Sequence, residues 1–138
     1  MKRFVAAFAA ALLTTAVASA QTPGDPGLGT ERGIEQVNNS GQVGTVTLFD
    51  RGASTSVVVA LHGTIPGRVQ SVRLYRGQSC EDLAGGGPAY FLRDLKNGTS
   101  TSVVKAAESK LLSGNYNVVV FSTNAAGARA VACGHLYQ

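Results

Sequence analysis

Few side chains in this sequence could hold a metal ion or react covalently. The chain has two histidines, His62 and His135, and two cysteines, Cys80 and Cys133. Zn²⁺ takes about four N, S or O ligands in proteins, and two histidines alone make only a weak, adventitious site. The histidine count therefore argues against a centre that holds several metal ions. No nucleophile turn of the G-x-S-x-G type and no phosphate-binding loop occurs in the chain.

Three arginines could instead recognise an anion. Arg73, Arg76 and Arg129 each carry a planar guanidinium, a group that binds carboxylates and phosphates through two parallel hydrogen bonds. If they converge in the fold, they predict a site for a small anion. The alternative is that they are surface arginines, each paired with an aspartate or a glutamate.

The N-terminus indicates the compartment in which these side chains would work. Residues 1–20 begin with Lys2 and Arg3, continue as an apolar run and end in the small-x-small pattern Ala18-Ser19-Ala20. This order is typical of a secretory signal peptide. The apolar run is shorter than the roughly 20 residues that a transmembrane helix needs. We therefore predict an exported protein, periplasmic or secreted, whose mature chain has no membrane span.

Export bears on the two cysteines. In an oxidising compartment Cys80 and Cys133 are expected to form one disulfide bond. Such a bond would close a loop of about 50 residues and stabilise the fold by about 4 kcal/mol. The alternative is a reactive or metal-binding thiol pair, although the spacing is unlike that of a compact zinc site.

The distribution of charge argues against nucleic acid as a partner. The formal net charge is +4, but Lys2 and Arg3 of the predicted signal peptide contribute to it. The rest of the chain has no cluster of lysines and arginines, which is the electrostatic signature of nucleic-acid binding.

The elements that must position these residues are predicted to be strands. Residues 21–42 are polar and begin with a run rich in Pro and Gly, so we interpret them as a flexible leader, with room for a first edge strand near its end. Over residues 43–138, short Val- and Thr-rich runs alternate with Gly, Pro, Asn and Ser, which favours a sandwich or barrel. Asn97-Gly98 predicts a tight hairpin turn. The sequence predicts strands over 43–49, 55–61, 69–75, 99–105, 116–122 and 128–136, a short apolar run at 90–92, and one short helix over 105–112.

Several motifs occur in an order that is shared with a known family. The strongest is NAAGARAVACG at 124–134; softer ones are RGQSC at 76–80, GGP at 86–88, DLKNG at 94–98 and LLSGNYNVVV at 111–120. On these motifs, residues 41–138 resemble the copper/zinc superoxide dismutase family, and more closely its small, divergent exported bacterial members. The first motif resembles that family's N-A-G-x-R-x-A-C-G ending, with one extra residue before the cysteine.

The resemblance implies a fold. It implies an all-β, Greek-key β-sandwich, or flattened barrel, of about seven or eight strands, formed by residues 43–138. It also implies that Cys80 tethers a loop to the strand that holds Cys133.

The resemblance further implies that the metal ligands are missing. Positions of copper-binding histidines in the family fall on Arg73, Tyr75 and Phe121 here, so these are interpreted as vacated ligand positions filled by bulky side chains. Asp94 resembles the zinc-binding aspartate, but no histidine lies between Cys80 and Asp94. No cofactor is therefore predicted.

Three functions are weighed on this basis. We favour an exported, disulfide-stapled domain without a metal site, a non-catalytic binding or structural protein of the cell envelope whose partner is unknown. The first alternative is an enzyme, a superoxide dismutase whose copper and zinc are held by atypical ligands: Tyr75, Asp94, His62 and His135. The second alternative is a small-anion-binding module that uses Arg73, Arg76 and Arg129.

Overall fold

The computed structural model describes residues 27–77, 79–81 and 86–137. Over these residues the chain forms strands and one short helix, α1 (Glu108–Ser113). No helix of this part of the chain is long and apolar enough to cross a membrane. The strands are β1 (Thr30–Gln36), β2 (Val43–Asp50), β3 (Thr55–His62), β4 (Val69–Gln70), β5 (Val72–Arg76), β6 (Tyr90–Phe91), β7 (Leu95–Lys96), β8 (Thr99–Val104), β9 (Tyr116–Phe121) and β10 (Ala130–His135).

The strands form two sheets that share β1. Their hydrogen-bonded order is β4-β7-β8-β3-β2-β1-β10-β9-β5-β6. The first part of β1 pairs with β2, and its last two residues pair with β10. We call the sheet from β4 to β2 sheet A and the sheet from β10 to β6 sheet B. Because β4 and β5 lie near opposite ends of this order and only Ser71 separates them, the ribbon of strands must fold over on itself.

The topology is of the Greek-key type. β3 pairs with β8 and β5 pairs with β9, although two strands of the opposite sheet lie between the members of each pair in sequence. The predicted all-β sandwich is thus confirmed at this level, with ten strands in place of the seven or eight expected. The difference arises partly at Ser71, where the predicted strand 69–75 passes from sheet A to sheet B as β4 and β5.

Alternation of side chains along the strands builds the core between the sheets. Val57, Val59 and Leu61 of β3 are buried, as are Val118 and Val120 of β9. Each aliphatic side chain that is fully buried contributes about 1.5–3 kcal/mol by removing apolar surface from water. The remaining large members of this cluster include Ile34, Val46, Leu48, Val72, Leu74, Leu92, Leu95, Val104, Leu111, Tyr116 and Leu136.

A buried amide pair closes one end of the sandwich. The Gln70 side-chain nitrogen donates to Oε1 of Gln42 at 2.9 Å and to the carbonyl of Phe121 at 2.9 Å. Both glutamines are buried, so these hydrogen bonds satisfy polar groups that would otherwise be costly. They connect the chain just before β2, the strand β4 and the end of β9, and so hold the Phe121 backbone in place.

The predicted leader needs a correction. Residues 1–26, which include the predicted signal peptide, lie outside the described residues. Thr30–Gln36, which were assigned to the flexible leader, instead form β1 between β2 and β10. Ile34 is the one large apolar side chain of β1, and it is buried. Otherwise β1 is held in place by backbone hydrogen bonds to β2 and β10. A strand held mainly by its backbone carries little hydrophobic pattern.

The predicted hairpin is confirmed. Asn97 and Gly98 both have positive φ, 51° and 79°, and join β7 to β8 with Lys96 opposite Thr99. This is the conformation that a two-residue hairpin turn requires. The helix begins three residues later than predicted and ends one residue later, at Glu108–Ser113.

Candidate functional site

Arg73 and Tyr75 lie on the outer face of sheet B. Successive side chains of a strand point to opposite faces, and Val72 and Leu74 are the buried ones in β5. Arg73 is opposite Phe91 of β6 on one side and opposite Val119 of β9 on the other. The outward side chains of three neighbouring strands therefore meet here.

Arg73 is stacked between two phenyl rings. Its Cζ lies 5.3 Å from the centre of the Phe91 ring and 5.3 Å from the centre of the Phe121 ring. The Tyr75 and Phe121 ring centres are 6.2 Å apart, with the planes tilted by 57°. We call Arg73, Tyr75, Phe91 and Phe121 the Arg73 patch. The structure thus brings together the three positions that the resemblance marked as vacated ligand positions, and adds Phe91.

The patch is open to solvent and chemically specific. Phe91 is 73% exposed, the most exposed aromatic side chain among the described residues, while the other three members are half-buried. Cation–π contact with two rings restricts the guanidinium, which keeps its hydrogen-bond donors for a ligand. A guanidinium has no lone pair to give and a phenyl ring has no donor atom, so the only ligating atom among these residues is the Tyr75 oxygen. These residues do not fit copper, but they fit a carboxylate flanked by apolar groups.

Two of the three predicted anion-binding arginines, Arg73 and Arg76, do not converge. Arg76 follows Arg73 by three residues on one strand, which places it on the opposite face. Its Cζ lies 5.8 Å from the ring centre of Tyr116, a core residue. Arg129 is exposed and precedes β10; its carbonyl accepts a hydrogen bond from the Ser122 amide. Arg73 is therefore the one predicted anion-binding arginine that belongs to the Arg73 patch.

The side chains proposed as atypical metal ligands are also dispersed. His62 is exposed at the end of β3, and two strands, β2 and β1, lie between β3 and the β10 strand that carries His135. Asp94 precedes β7 in sheet A, where its Oδ2 accepts a hydrogen bond of 3.2 Å from Asn124. Among the described residues no group of three or more His, Cys, Asp or Glu side chains could hold a metal ion.

The predicted disulfide is confirmed. Cys80 and Cys133 are bonded, with Cα atoms 5.9 Å apart, and the bond ties the segment after β5 to β10. Both cysteines line a surface groove of about 380 Å³, here called the disulfide groove. Its other lining residues are Gly33, Glu35, Gln36, Val37, Gly134 and His135.

Asn117 organises the surroundings of the disulfide. It is fully buried in β9, and its side-chain nitrogen donates to the carbonyls of Gly77, at 2.9 Å, and Ser79, at 3.5 Å. Its Oδ1 is hydrogen-bonded to Nδ1 of His135. Neither Asn117 nor Phe91 was predicted as a functional residue from the sequence. Asn117 is signalled by being an asparagine within the valine-rich run at 116–120. Phe91 is signalled by its place in the apolar run 90–92, in which only alternate residues of a strand can be buried.

Comparison with known proteins identifies the fold. No family model matches the sequence, and no curated protein matches it significantly. One similar solved structure is the crystal structure of a double mutant of a SOD-like protein from Bacillus subtilis, in which a tyrosine and a proline are replaced by histidine. The identity is 16% and the TM-score 0.54, over 80% of this chain and 98% of that chain. The chain therefore has a superoxide dismutase-like fold.

Proposed function

We propose that this protein is exported and acts as a non-catalytic binding protein of the cell envelope, built on a superoxide dismutase-like sandwich. In this proposal the Arg73 patch is the surface that contacts a protein partner. The chain is a divergent relative of the copper/zinc enzymes in which Arg73, Tyr75 and Phe121 replace copper ligands. Its fold alone does not decide this, because one fold hosts many functions.

One observation carries the proposal: the guanidinium of Arg73 stacks between Phe91 and Phe121 on an exposed sheet face. Arginine and aromatic residues are enriched where protein interfaces concentrate their binding energy. A stacked arginine has already lost much of its rotamer freedom, so a partner that binds it bears less entropic cost. The atypical metal site would need His62 and His135 to meet, whereas β2 and β1 lie between their strands. The anion module would need Arg73 and Arg76 on one face of β5, whereas they lie on opposite faces.

Metal content tests the non-catalytic half of the proposal. Residues 21–138 with the disulfide formed are loaded with Cu²⁺ and Zn²⁺, freed of loosely bound ions and analysed for both metals. We expect less than about 0.1 metal ion per chain, because tight sites need about three or four converging donors. Close to one copper or zinc ion per chain would reopen the enzymatic alternative.

Site-specific photocrosslinking tests the binding half. A photoreactive phenylalanine analogue at position 91 is expected to give a discrete protein adduct when the full chain is expressed in its own cells. The same analogue at Val103 is the matched control, because Val103 is 69% exposed and lies on β8 of the other sheet.

The adduct should depend on Arg73. With Arg73→Leu, which keeps an apolar stem and removes the charge, we expect the adduct at position 91 to fall by about tenfold, as for loss of a central interface arginine. Equal adducts at positions 91 and 103, or an adduct that survives Arg73→Leu unchanged, would count against the Arg73 patch as the contact surface.

A further inference from the structure

The disulfide bond lies at a surface groove. Both Cys80 and Cys133 line the disulfide groove, whose volume of about 380 Å³ is enough for a small molecule. The two sulfurs are not equivalent, since Cys80 is half-buried and Cys133 is 4% exposed. A small thiol that enters the groove therefore meets the sulfur of Cys80 first.

An imidazole shares the groove with the sulfurs. His135 follows Cys133 by two residues in β10, so both side chains are on the outer face of sheet B. The partners opposite them in β9 are Asn117 for His135 and Val119 for Cys133. His135 is exposed and lines the groove, whereas Glu35 of β1 is opposite Cys133 on the other side.

Asn117 determines which nitrogen of His135 is available. The Asn117 amide nitrogen is used by the carbonyls of Gly77 and Ser79, so its Oδ1 faces His135 as an acceptor. Nδ1 of His135 must then carry the hydrogen, and the lone pair of the neutral ring is on Nε2. The same buried amide thus orients the imidazole and the segment that carries Cys80.

From this arrangement we infer that Cys80–Cys133 is a thiol–disulfide exchange site for a small thiol, with His135 as its acid–base group. Nε2 takes the proton of the incoming thiol, and the resulting thiolate attacks Sγ of Cys80. The Cys80–Cys133 bond breaks, a mixed disulfide forms at Cys80, and the electron pair leaves on Cys133, which receives the proton from Nε2. A second thiol attacks the mixed disulfide, which releases the oxidised thiol and leaves Cys80 as a thiol.

The direction of attack follows from burial. The sulfur of the more exposed cysteine, Cys80, is attacked, and the sulfur of the buried Cys133 leaves on the strand that also carries His135. Glu35, opposite Cys133, disfavours an uncompensated thiolate there, so transfer of the proton to Cys133 helps the bond to break. This inference does not depend on the Arg73 patch or on the proposed binding role.

The test is the rate at which 2-mercaptoethanol reduces the native, full-length mature protein. His135→Asn is the informative variant, because its amide nitrogen can still donate to Asn117 while the group that takes and gives the proton is lost. His62→Asn is the matched control at an exposed strand end in sheet A. We expect at least a tenfold lower second-order rate constant for His135→Asn and an unchanged one for His62→Asn.

Two further readouts separate an exchange site from a purely structural disulfide. Reduction of the folded protein should hardly change in rate between 0 and 1 M urea, whereas reduction through unfolding would accelerate steeply. Mass spectrometry after acid quenching should locate the mercaptoethanol adduct on Cys80 and the free thiol on Cys133. Equal rates for both histidine variants, a steep urea dependence, or an adduct confined to Cys133 would each overturn the inference.

Discussion

Replacing Arg73, Tyr75 and Phe121 together by histidine is expected to create a copper site on the outer face of sheet B. The reason is geometric. Two imidazoles that share a metal ion at about 2.0–2.1 Å have ring centres up to roughly 6.4 Å apart. The ring centres of Tyr75 and Phe121 are 6.2 Å apart, and the Arg73 Cζ is 5.3 Å from the Phe121 ring. The three side chains therefore already surround one volume.

The expected gain is large. Three imidazoles suit Cu²⁺, so the triple variant should bind it with a dissociation constant of about 1 μM or lower, on the order of a thousandfold tighter than the natural chain. Isothermal titration with Cu²⁺ and the visible absorption of the complex measure this. The double variant Arg73→His/Tyr75→His is the control, because two ligands should leave affinity at least a hundredfold weaker.

The outcome discriminates between two descriptions of the Arg73 patch. Tight binding by the triple variant and weak binding by the double variant would support the interpretation of these residues as vacated ligand positions. A triple variant that keeps the circular dichroism spectrum of the natural chain but gains no copper affinity would contradict it. That result would not count against the proposed contact surface. The contact surface depends on the stacking of Arg73 and not on whether its position corresponds to a metal ligand in related proteins.

The local pattern of residue types predicted most strands well. It could not predict which strands pair when they are far apart in the sequence. Val-rich runs such as the one over 116–120 and the Asn97-Gly98 turn carry their own physical signal, and both were found. β1 was anticipated only as an edge strand near the end of the leader, without assigned residues, because only Ile34 marks its buried side. Its position between β2 and β10 depends on partners up to about a hundred residues away, which no local periodicity encodes.

The candidate site was predictable only in part. The reason for success or failure differs from residue to residue. The resemblance indicated Arg73, Tyr75 and Phe121, which the fold does bring together. The opposite orientations of Arg73 and Arg76 follow from the two-residue period of a strand, so grouping them was an avoidable error. Phe91 could not be placed, because it contacts Arg73 across two strands that are joined only through tertiary pairing.

Removal of the disulfide is expected to cost about 4 kcal/mol of unfolding free energy. The two cysteines are 53 residues apart, so the bond excludes many conformations of the unfolded chain. The double variant Cys80→Ala/Cys133→Ala should unfold at a much lower urea concentration, with a steeper denaturant dependence because its unfolded state exposes more surface. The natural protein unfolded in excess reductant is the control and should lose a similar amount.

Substitution of Asn117 can show whether the disulfide stabilises the folded segment that carries Cys80 or acts only on the unfolded chain. Its amide and the disulfide both hold the segment at 77–80, the amide through the Gly77 and Ser79 carbonyls. Asn117→Ala alone should cost about 2 kcal/mol, because two carbonyls lose their donor. Combining it with the cysteine substitutions should cost less than the sum, since a segment already released by one change has less to lose from the other. Strict additivity would mean that the disulfide acts on the unfolded chain alone, whereas sub-additivity would assign it a share in ordering the segment that carries Cys80.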